Sequence, residues 1–234
     1  PDNPEFAAAK AAGVPMLTRA ELLGQIMRNY DTPIAVSGTH GKTTTTSMIS
    51  QILLEADADP TISVGGILPS IGGNIRVGQS ETFVTEACEY TNSFLSFFPK
   101  ISVILNIDAD HLDFFKDIDD IRHSFRKFAQ LLPADGALII NADTPHYQDI
   151  IKDLSCKIIT YGLEHEAQYQ ATDITYDKYG HASFTVLKDG RKAGSFYLKV
   201  PGSHNVSNAL AAIALARLLQ IPDEQIAVSS IKAK

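Results

Sequence analysis

The chain has 234 residues, of which 44% are hydrophobic and 20% charged, a composition typical of a globular protein with a substantial core. Its 20 basic and 27 acidic residues give a formal net charge of −7, which excludes the basic field that attracts nucleic acid or an anionic membrane. Cys88 and Cys156 lack the spacing of metal ligands, and no segment reaches the apolar length of a membrane span, so we predict reduced thiols and a cytoplasmic location.

The first part of the chain predicts two helices, a buried strand and a third helix, in that order. Segments 5–12 and 19–29 are rich in Ala and Leu with helical spacing, and a Gly-Val-Pro break at 13–15 separates them. Residues 33–36 indicate a short buried strand, and a helix follows over 43–56. A strand, a glycine-bearing turn and a helix are the typical opening of a parallel α/β sheet.

Strands and helices continue to alternate through the middle of the chain. The pattern predicts strands at 61–64, 82–85, 101–107, 137–140 and 157–161, and helices at 118–132 and 145–154. The unbroken apolar run at 101–107 is typical of a strand that is covered on both faces.

The sequence pattern changes after Glu164. Residues 168–200 alternate in polarity, and Asp189-Gly190 is typical of a tight hairpin turn. A helix is predicted at 205–220, and residues 231–234 read as part of another helix. We therefore predict an α/β fold, in which helices flank a mostly parallel sheet and a small antiparallel subsheet lies near residues 168–200.

A glycine-bearing loop joins the strand at 33–36 to the next helix. It consists of Gly38, Thr39, His40, Gly41, Lys42, Thr43 and Thr44. Backbone N–H groups of such a loop form a concave anion site, and the helix N-terminus adds positive potential. Lys42 is placed to reach the β- and γ-phosphates, and the Thr43 hydroxyl to ligate Mg²⁺. The first glycine of the general P-loop pattern would fall at Val36, but the context still predicts a nucleotide-binding loop and a P-loop-type sheet.

Polar clusters follow two of the predicted strands, where the carboxyl ends of a parallel sheet collect ligand-binding groups. Glu86 follows the strand at 82–85, where it could ligate Mg²⁺ opposite Thr43 or could simply be solvated. Three acids and His111 lie within residues 108–113, and their charges would be costly to bury unpaired. This second cluster therefore lies either on the surface or around a cation.

The segment that opens the last predicted helix, residues 202–209, has two interpretations. Ser203 or Asn205 could cap the helix N-terminus through a side-chain oxygen. Alternatively, Asn205 and Asn208 lie on one helix face and could present their amide groups to an adenine edge. The spacing alone favours capping.

Taken in series, these clusters resemble the Mur ligase family. The matching segments are residues 38–44, Glu86-Ala87, Asn106-Ile107 with 110–113, and His204-Asn205 with 208–212. Residues 72–76 and 93–95 are similar to the members that add L-alanine. Residues 2–5 and 13–23 resemble the end of the UDP-sugar-binding domain of those members.

The resemblance implies a role for each matching position. It implies ATP contacts from the whole loop at 38–44, from Asn205 and from Asn208. It implies Mg²⁺ ligation by Thr43, Glu86 and His111, and a catalytic role for Lys42, Glu86 and His111. It implies substrate contacts from Asn74, Arg76 and Ser93. The chain departs from the family pattern at one segment. The members that add L-alanine have Glu-Ala-Asp-Glu-Ser-Asp where residues 86–91 here are Glu-Ala-Cys-Glu-Tyr-Thr. The substrate contacts of residues 88–91 are therefore left open.

The function implied by the resemblance is ATP-dependent amide formation in peptidoglycan precursor synthesis. The substrates would be UDP-N-acetylmuramate and L-alanine, joined through an acyl phosphate. Residues 1–30 would be the tail of the UDP-sugar-binding domain and a linker, and 31–234 the central ATP-binding domain. A C-terminal domain that binds the amino acid would be absent, so we expect the chain alone to be inactive as a ligase.

Two other functions are compatible with the same loop. A family member that recycles murein tripeptide shares the His40-type loop. In this chain residues 89–95 run almost directly into the strand at 101–107, whereas the resemblance implies that the recycling enzyme has a longer segment there. A non-catalytic nucleotide-binding module would need the loop but has no evident use for Glu86 and His111. A GTPase is excluded, because the sequence contains no Asn-Lys-x-Asp base-reading segment.

Overall fold

The computed structural model describes residues 3–226 and 231–233, whose strands form one mixed sheet. The strands are β1 (Thr32–Ser37), β2 (Thr61–Leu68), β3 (Gly73–Arg76), β4 (Thr82–Glu86), β5 (Ile101–Ile104), β6 (Ala137–Asn141), β7 (Lys157–Gly162), β8 (Tyr169–Tyr176), β9 (Ala182–Lys188), β10 (Arg191–Leu198) and β11 (Ile231–Ala233). The helices are α1 (Pro4–Ala11), α2 (Arg19–Met27), α3 (Lys42–Glu55), α4 (Ile118–Ala129), α5 (Tyr147–Ile151), α6 (Ser203–Leu218) and α7 (Asp223–Ile226). Short 3-10 segments occupy Pro69–Ile71 and Tyr90–Ser96. Within the described ranges, no helix combines the length and the apolar character that crossing a bilayer requires.

The sheet is parallel at its centre and antiparallel at both edges. Its order in the described part of the chain is β11-β10-β9-β8-β7-β6-β5-β1-β4-β2-β3. Strands β2, β4, β1, β5, β6 and β7 run parallel, β8 to β11 pair antiparallel, and β3 pairs antiparallel with β2. The predicted mostly parallel sheet with its antiparallel subsheet near 168–200 is therefore confirmed. The subsheet continues the main sheet through a short parallel pairing of Tyr161 with Tyr169 and Gly162 with Gln170.

Alternation along β1 sends its side chains into two separate cores. Ile34 and Val36 are fully buried on one face of the sheet, in a core that includes side chains of α3 and α6. Ala35 belongs to the core on the other face, together with Phe125 and Phe128 of α4. Because both faces are covered, β1 is apolar on both sides rather than alternating between apolar and polar residues.

The strand ends that matter for function lie side by side at one edge of the sheet. Val36 of β1 pairs with Glu86 at the end of β4 and, on its other side, with Val103 of β5. The segments that follow these three strands therefore leave the sheet next to one another. This arrangement is the one expected at the carboxyl ends of parallel strands.

Several predicted boundaries need correction. The strand predicted at 101–107 ends at Ile104, and the segment after it turns toward the loop that follows β1, with Asn106 O accepting from Thr39 N–H at 3.2 Å. The helix predicted at 145–154 is only Tyr147–Ile151. The pattern also fails to predict the short strand β3.

The predicted helix at the end of the chain is wrong for residues 231–233. These residues form β11, which pairs antiparallel with β10. Pairing with a neighbouring strand satisfies backbone groups that local sequence preference cannot foresee. Residue 234 lies outside the described residues.

Candidate active site

The loop between β1 and α3 closes tightly at Gly41. This residue has a φ of 84° and is the N-cap of α3, whose first residue is Lys42. A Cβ at Gly41 would lie 2.7 Å from Asn208 Oδ1, so the left-handed backbone and the close approach both require glycine. The N-terminus of α3, with its unpaired N–H groups, therefore begins directly at the loop.

The Lys42 side chain folds back over the loop. Its Nζ donates to Gly38 O at 2.6 Å and to Thr39 O at 3.2 Å. It also donates to the Glu89 carboxylate, at 3.2 Å from Oε1 and 2.9 Å from Oε2. An ammonium group has three N–H donors, so these two carbonyls and one carboxylate engage all of them.

Thr43 and Glu86 lie in contact at the head of α3. Thr43 Oγ1 donates to Glu86 Oε2 at 3.1 Å, and Glu86 Oε1 accepts from the Gly65 N–H at 2.5 Å. A Cβ at Gly65 of β2 would lie 2.8 Å from Glu86 Oε2, so the strand approaches the carboxylate closely. The Glu86 carboxylate is thus held between a hydroxyl and a backbone donor.

The segment after β5 clamps the loop. Asn106 pairs reciprocally with His40, because its Oδ1 accepts from His40 N–H at 2.7 Å and its Nδ2 donates to His40 O at 2.9 Å. Thr39 Oγ1 accepts from Asp108 N–H at 2.9 Å. These bonds fix the middle of the loop relative to the segment after β5.

His111 lies farther along the same segment and faces Glu89. Its Nε2 is 3.8 Å from Glu89 Oε1 and 4.0 Å from Asp110 Oδ2, and its ring packs on Tyr90 with centroids 4.6 Å apart. His111 has a φ of 54°, which is uncommon outside glycine and is held in place only by surrounding contacts. The Tyr90 hydroxyl donates to Asp113 Oδ2 at 2.9 Å, and this carboxylate raises the pKa of Tyr90.

The residues predicted to ligate metal fall into two groups. Thr43 and Glu86 present hard oxygen donors in direct contact, which suits Mg²⁺. His111 lies instead beside Glu89 and Asp110. Over the ranges 3–226 and 231–233, no three His, Cys, Asp or Glu side chains converge as a metal-binding group. Mg²⁺ at Thr43 and Glu86 would therefore take its remaining ligands from water and phosphate, which is its usual manner of binding in nucleotide sites.

Asn205 and Asn208 are buried in the first turns of α6. Asn205 Nδ2 donates to Pro201 O at 2.8 Å, and its Oδ1 accepts from Asn208 Nδ2 at 3.2 Å. The capping interpretation is wrong, because the N-cap of α6 is Gly202 and no side chain there makes a capping hydrogen bond. The helix begins at Ser203, which places Asn205 inside its first turn rather than ahead of it.

A cavity of about 540 Å³ adjoins the Glu86 carboxylate. Its lining includes the predicted substrate residue Ser93 and the exposed thiol of Cys88, and residues from the start of α2 close its other side. Phe94, which directly follows the lining residue Ser93, is fully buried and stacks on Phe128 with ring centroids 4.6 Å apart. The structure therefore brings Ser93, together with Cys88, Tyr90 and Thr91 of the segment that departs from the family pattern, to the same cavity as Glu86.

Asn74 and Arg76 lie elsewhere, on the edge strand β3. Neither residue lines the cavity beside Glu86. Arg76 donates to Pro60 O at 2.7 Å and forms an ion pair with Asp59. The Arg76 guanidinium lowers the pKa of Asp59, so in this arrangement Arg76 serves the packing of the strand.

Two residues of the site have no assigned role in the sequence patterns. Glu89 is 2% exposed and bonds to the loop lysine, and Asn106 clamps the loop peptide. A signal for Asn106 is present, since it lies two residues beyond β5, which neighbours the loop strand β1. Nothing in the sequence distinguishes Glu89 from a solvent-exposed acid, because its burial depends on the segments of Lys42 and His111 packing around it.

Comparison with known protein families identifies a relationship over most of the chain. Residues 36–216 match the Mur ligase middle domain. A UDP-N-acetylmuramate–L-alanine ligase of Agathobacter rectalis is 64% identical over 224 residues, which cover 96% of this chain and 49% of that protein. The chain thus spans about half the length of the curated relatives it matches.

Solved structures show the same architecture. The UDP-N-acetylmuramate–alanine ligase of Thermotoga maritima has a TM-score of 0.82 at 30% identity, over 96% of this chain and 50% of that one. The UDP-N-acetylmuramate:L-alanyl-γ-D-glutamyl-meso-diaminopimelate ligase of Neisseria meningitides has a TM-score of 0.83 at 31% identity, over 95% of this chain and 72% of that one. The fold alone therefore does not separate these two activities. The 64% identity to the Agathobacter rectalis ligase favours the relatives that are named as L-alanine ligases.

Proposed function

The chain belongs to the Mur ligase family, and we propose that it is the ATP-binding centre of an enzyme that joins L-alanine to UDP-N-acetylmuramate. The observation that carries this proposal is the contact of Thr43 with Glu86 at the head of α3, beside a cavity large enough for part of a substrate. The identity with the Agathobacter rectalis ligase supports the choice of L-alanine. The enzyme would act in the cytoplasm, on precursors of peptidoglycan.

ATP would bind at the loop and the two asparagines. The N–H groups of the loop and the N-terminus of α3 would hold the phosphates, and Lys42 would neutralise their charge. Asn205 and Asn208 would contact adenine through their amide groups, and the close approach of Asn208 to Gly41 supports their placement beside the loop.

Mg²⁺ fits the donors that Thr43 and Glu86 provide. Together with His111 these residues would hold the ion or ions that accompany ATP, and bound Mg²⁺ would neutralise charge on the phosphates. The close approach of Gly65 to Glu86 keeps the carboxylate aimed at the Thr43 hydroxyl.

The reaction needs no covalent protein nucleophile. A carboxylate oxygen of the lactyl group attacks the γ-phosphorus of ATP, the bond to the β–γ bridging oxygen breaks, and ADP leaves with an acyl phosphate on the substrate. The alanine amine then attacks the acyl carbon, loses a proton, and phosphate leaves as the amide forms. Such phosphoryl transfer depends mainly on positioning and charge neutralisation, which Lys42 supplies directly.

We also propose that the isolated chain is not an active ligase. Residues 1–30 would be the tail of a UDP-sugar-binding domain, 31–234 the central domain, and the amino acid would be brought by a further domain. A reactant without a site cannot be oriented, and oriented binding supplies up to about 7–11 kcal/mol of barrier lowering. The chain should bind Mg-ATP weakly in calorimetry yet form no UDP-N-acetylmuramoyl-L-alanine. Product at the rate of the full-length enzyme would refute this domain assignment.

Coupled ADP release tests the function itself. The full-length protein is given ATP, Mg²⁺ and UDP-N-acetylmuramate, with each amino acid offered in turn. We expect release with L-alanine, and weaker release with glycine or L-serine, because those side chains are of similar size. Release that is independent of added amino acid would contradict amide formation.

Recycling of murein tripeptide is the second candidate, because the fold is as similar to the Neisseria meningitides enzyme, with a TM-score of 0.83, as to the Thermotoga maritima ligase, with a TM-score of 0.82. The same assay distinguishes it, with the tripeptide L-alanyl-γ-D-glutamyl-meso-diaminopimelate in place of free amino acids. ADP release with the tripeptide and none with L-alanine would favour recycling.

A further inference from the structure

Glu89 is a buried acid at the centre of the site. Its side chain is 2% exposed, although it lies on a segment that is otherwise largely open to the cavity. Its carboxylate accepts two contacts from Lys42 Nζ and lies 3.8 Å from His111 Nε2. A carboxylate is rarely buried without partners, because desolvation costs several kcal/mol. The placement of Glu89 therefore calls for a reason.

Glu89 links two segments that reach the site from different strands. Lys42 is the first residue of α3, directly after the loop that follows β1, and His111 lies on the segment after β5. The backbone of Glu89 is fixed as well, since Glu89 O accepts from Asn92 N–H at 2.9 Å. Because the carboxylate is itself buried between Lys42 and His111, it holds the lysine at one position beside the loop.

Glu89 also competes with any phosphate for Lys42. The three donors of Lys42 are engaged by Gly38 O, Thr39 O and Glu89, so a phosphate gains a contact only where one of these is loosened. A buried carboxylate beside a triphosphate also repels it, and at such short range in a poorly screened site the repulsion is appreciable. Retaining Glu89 should therefore cost nucleotide affinity while fixing the lysine.

We propose that Glu89 is a positioning residue, which acts through Lys42 and His111 to set the lysine against the transferred phosphoryl group at the expense of ground-state nucleotide binding. The predicted effect of Glu89 on kcat rests on the proposed function. Its predicted effect on nucleotide affinity does not depend on which acid and amine react. Glu89 touches neither substrate nor metal in this scheme.

The test is Glu89→Gln in the full-length protein, with nucleotide binding and steady-state kinetics measured on the same samples. Glutamine keeps the size and one acceptor but removes the charge. We expect kcat to fall about 10- to 100-fold, by analogy with the loss on removing an outer-shell partner that orients a metal ligand. The Kd for Mg-ADP by calorimetry should fall about threefold or more, because the repulsion is relieved.

Two further variants separate positioning from mere folding. Glu81→Gln makes the same change at an exposed acid before β4 and should alter neither quantity. Glu89→Asp keeps the charge one methylene farther back and should recover part of kcat while losing the gain in Mg-ADP affinity. If Glu89→Gln unfolds the protein, Glu89→Asp still tests the proposal, because its kcat should fall without tighter binding.

The outcomes are distinct. Unchanged kcat in Glu89→Gln, or a parallel loss of kcat and Mg-ADP affinity, overturns the positioning role. If the wild-type protein forms no amide, the proposed function is wrong. The Kd for Mg-ADP in Glu89→Gln then still tests whether Glu89 weakens nucleotide binding through Lys42.

Discussion

The loop at 38–41 and the β2–β3 hairpin both follow a parallel strand and both carry glycine, yet they differ in how firmly they are held. The loop follows the central strand β1 and receives hydrogen bonds from Asn106 on one side, while Glu89 holds Lys42 on the other. The hairpin lies at the sheet edge, where Ile67 is 83% and Ile75 65% exposed. A central position supplies neighbours on both sides, and chemistry that depends on fixed distances lies there. The edge leaves surface free for another part of the enzyme or its substrate.

Removing Lys42 should give the strongest contrast. Lys42→Ala should lower ATP turnover by about 100-fold or more, as loss of a charge that stabilises a transition state does. It also leaves Glu89 buried without its partner, which should lower the free energy of unfolding by about 3–5 kcal/mol. Coupled ADP release and chemical denaturation measure the two effects, with Lys10→Ala at an exposed site as the control.

A double variant tests whether the stability loss comes from the orphaned acid. Lys42→Ala with Glu89→Gln should recover most of the stability and none of the turnover, because the buried charge is gone but the lysine is still missing. Stability that stays low in the double variant would mean that the loop is held less by this pair than the contacts indicate.

Changes at the predicted metal ligands should act through Mg²⁺ dependence. Glu86→Gln and His111→Ala should each raise the Mg²⁺ concentration for half-maximal activity by about tenfold. A Mg²⁺ titration of ATP turnover measures this, and Asp119→Asn, at an exposed acid on α4, is the control. Equal Mg²⁺ curves for all variants would mean that Glu86 and His111 serve the structure alone.

Two glycines with left-handed backbones separate conformation from contact. Gly13 has a φ of 66° and no atom within 4 Å of an added Cβ, whereas Gly41 has a φ of 84° and Asn208 at 2.7 Å. Gly13→Ala should cost about 1 kcal/mol of stability from backbone strain alone. Gly41→Ala should cost more and should also weaken Mg-ADP binding, as measured by denaturation and calorimetry. Equal effects at the two positions would remove the argument that Asn208 packs on the loop.

The smallest effect is expected at the edge hairpin. Arg76→Ala should lower the Tm modestly at pH 7, because the ion pair with Asp59 is partly exposed. Arg76 lowers the pKa of Asp59 below its ordinary 3.8, so the ion pair stabilises the fold above that pH and is lost as the pH falls below it. The Tm difference between wild type and variant should therefore shrink below about pH 4. A large loss of kcat in Arg76→Ala, with the Tm unchanged, would show instead that this edge serves the substrate.

Sequence patterns predict the architecture well because they record burial. The apolar run of β1 and the alternating residues of β8 to β10 each follow from how many faces of the sheet are covered. The phosphate loop is predicted because glycine, lysine and threonine carry its geometry locally. β11 is not predicted, because its structure depends on a partner strand rather than on its own residues.

The site itself is predicted only in part. The contact of Thr43 with Glu86 agrees with the expected placement at neighbouring strand ends, although the metal role remains a prediction. The burial of Glu89 cannot be read from sequence, and the sequence gives Asn106 a position near the loop but not its hydrogen bonds with His40, because each depends on segments that are far apart in the chain. The capping interpretation of Asn205 fails for a smaller reason, since the helix starts two residues earlier than predicted.

The central position of β1 has a consequence for biosynthesis. Thr32 pairs with Thr82 and Ile34 with Ile101, so one edge of β1 has no partner until β4 has been translated and the other has none until β5 has been translated. At about 5–20 residues per second, the nascent chain spends a few seconds with its glycine loop made but unsupported. An apolar strand with an open edge can pair with another chain, so during that time β1 is a segment that a chaperone would protect. The nucleotide loop is thus synthesised well before Asn106 and Asn208, two side chains that pack against it.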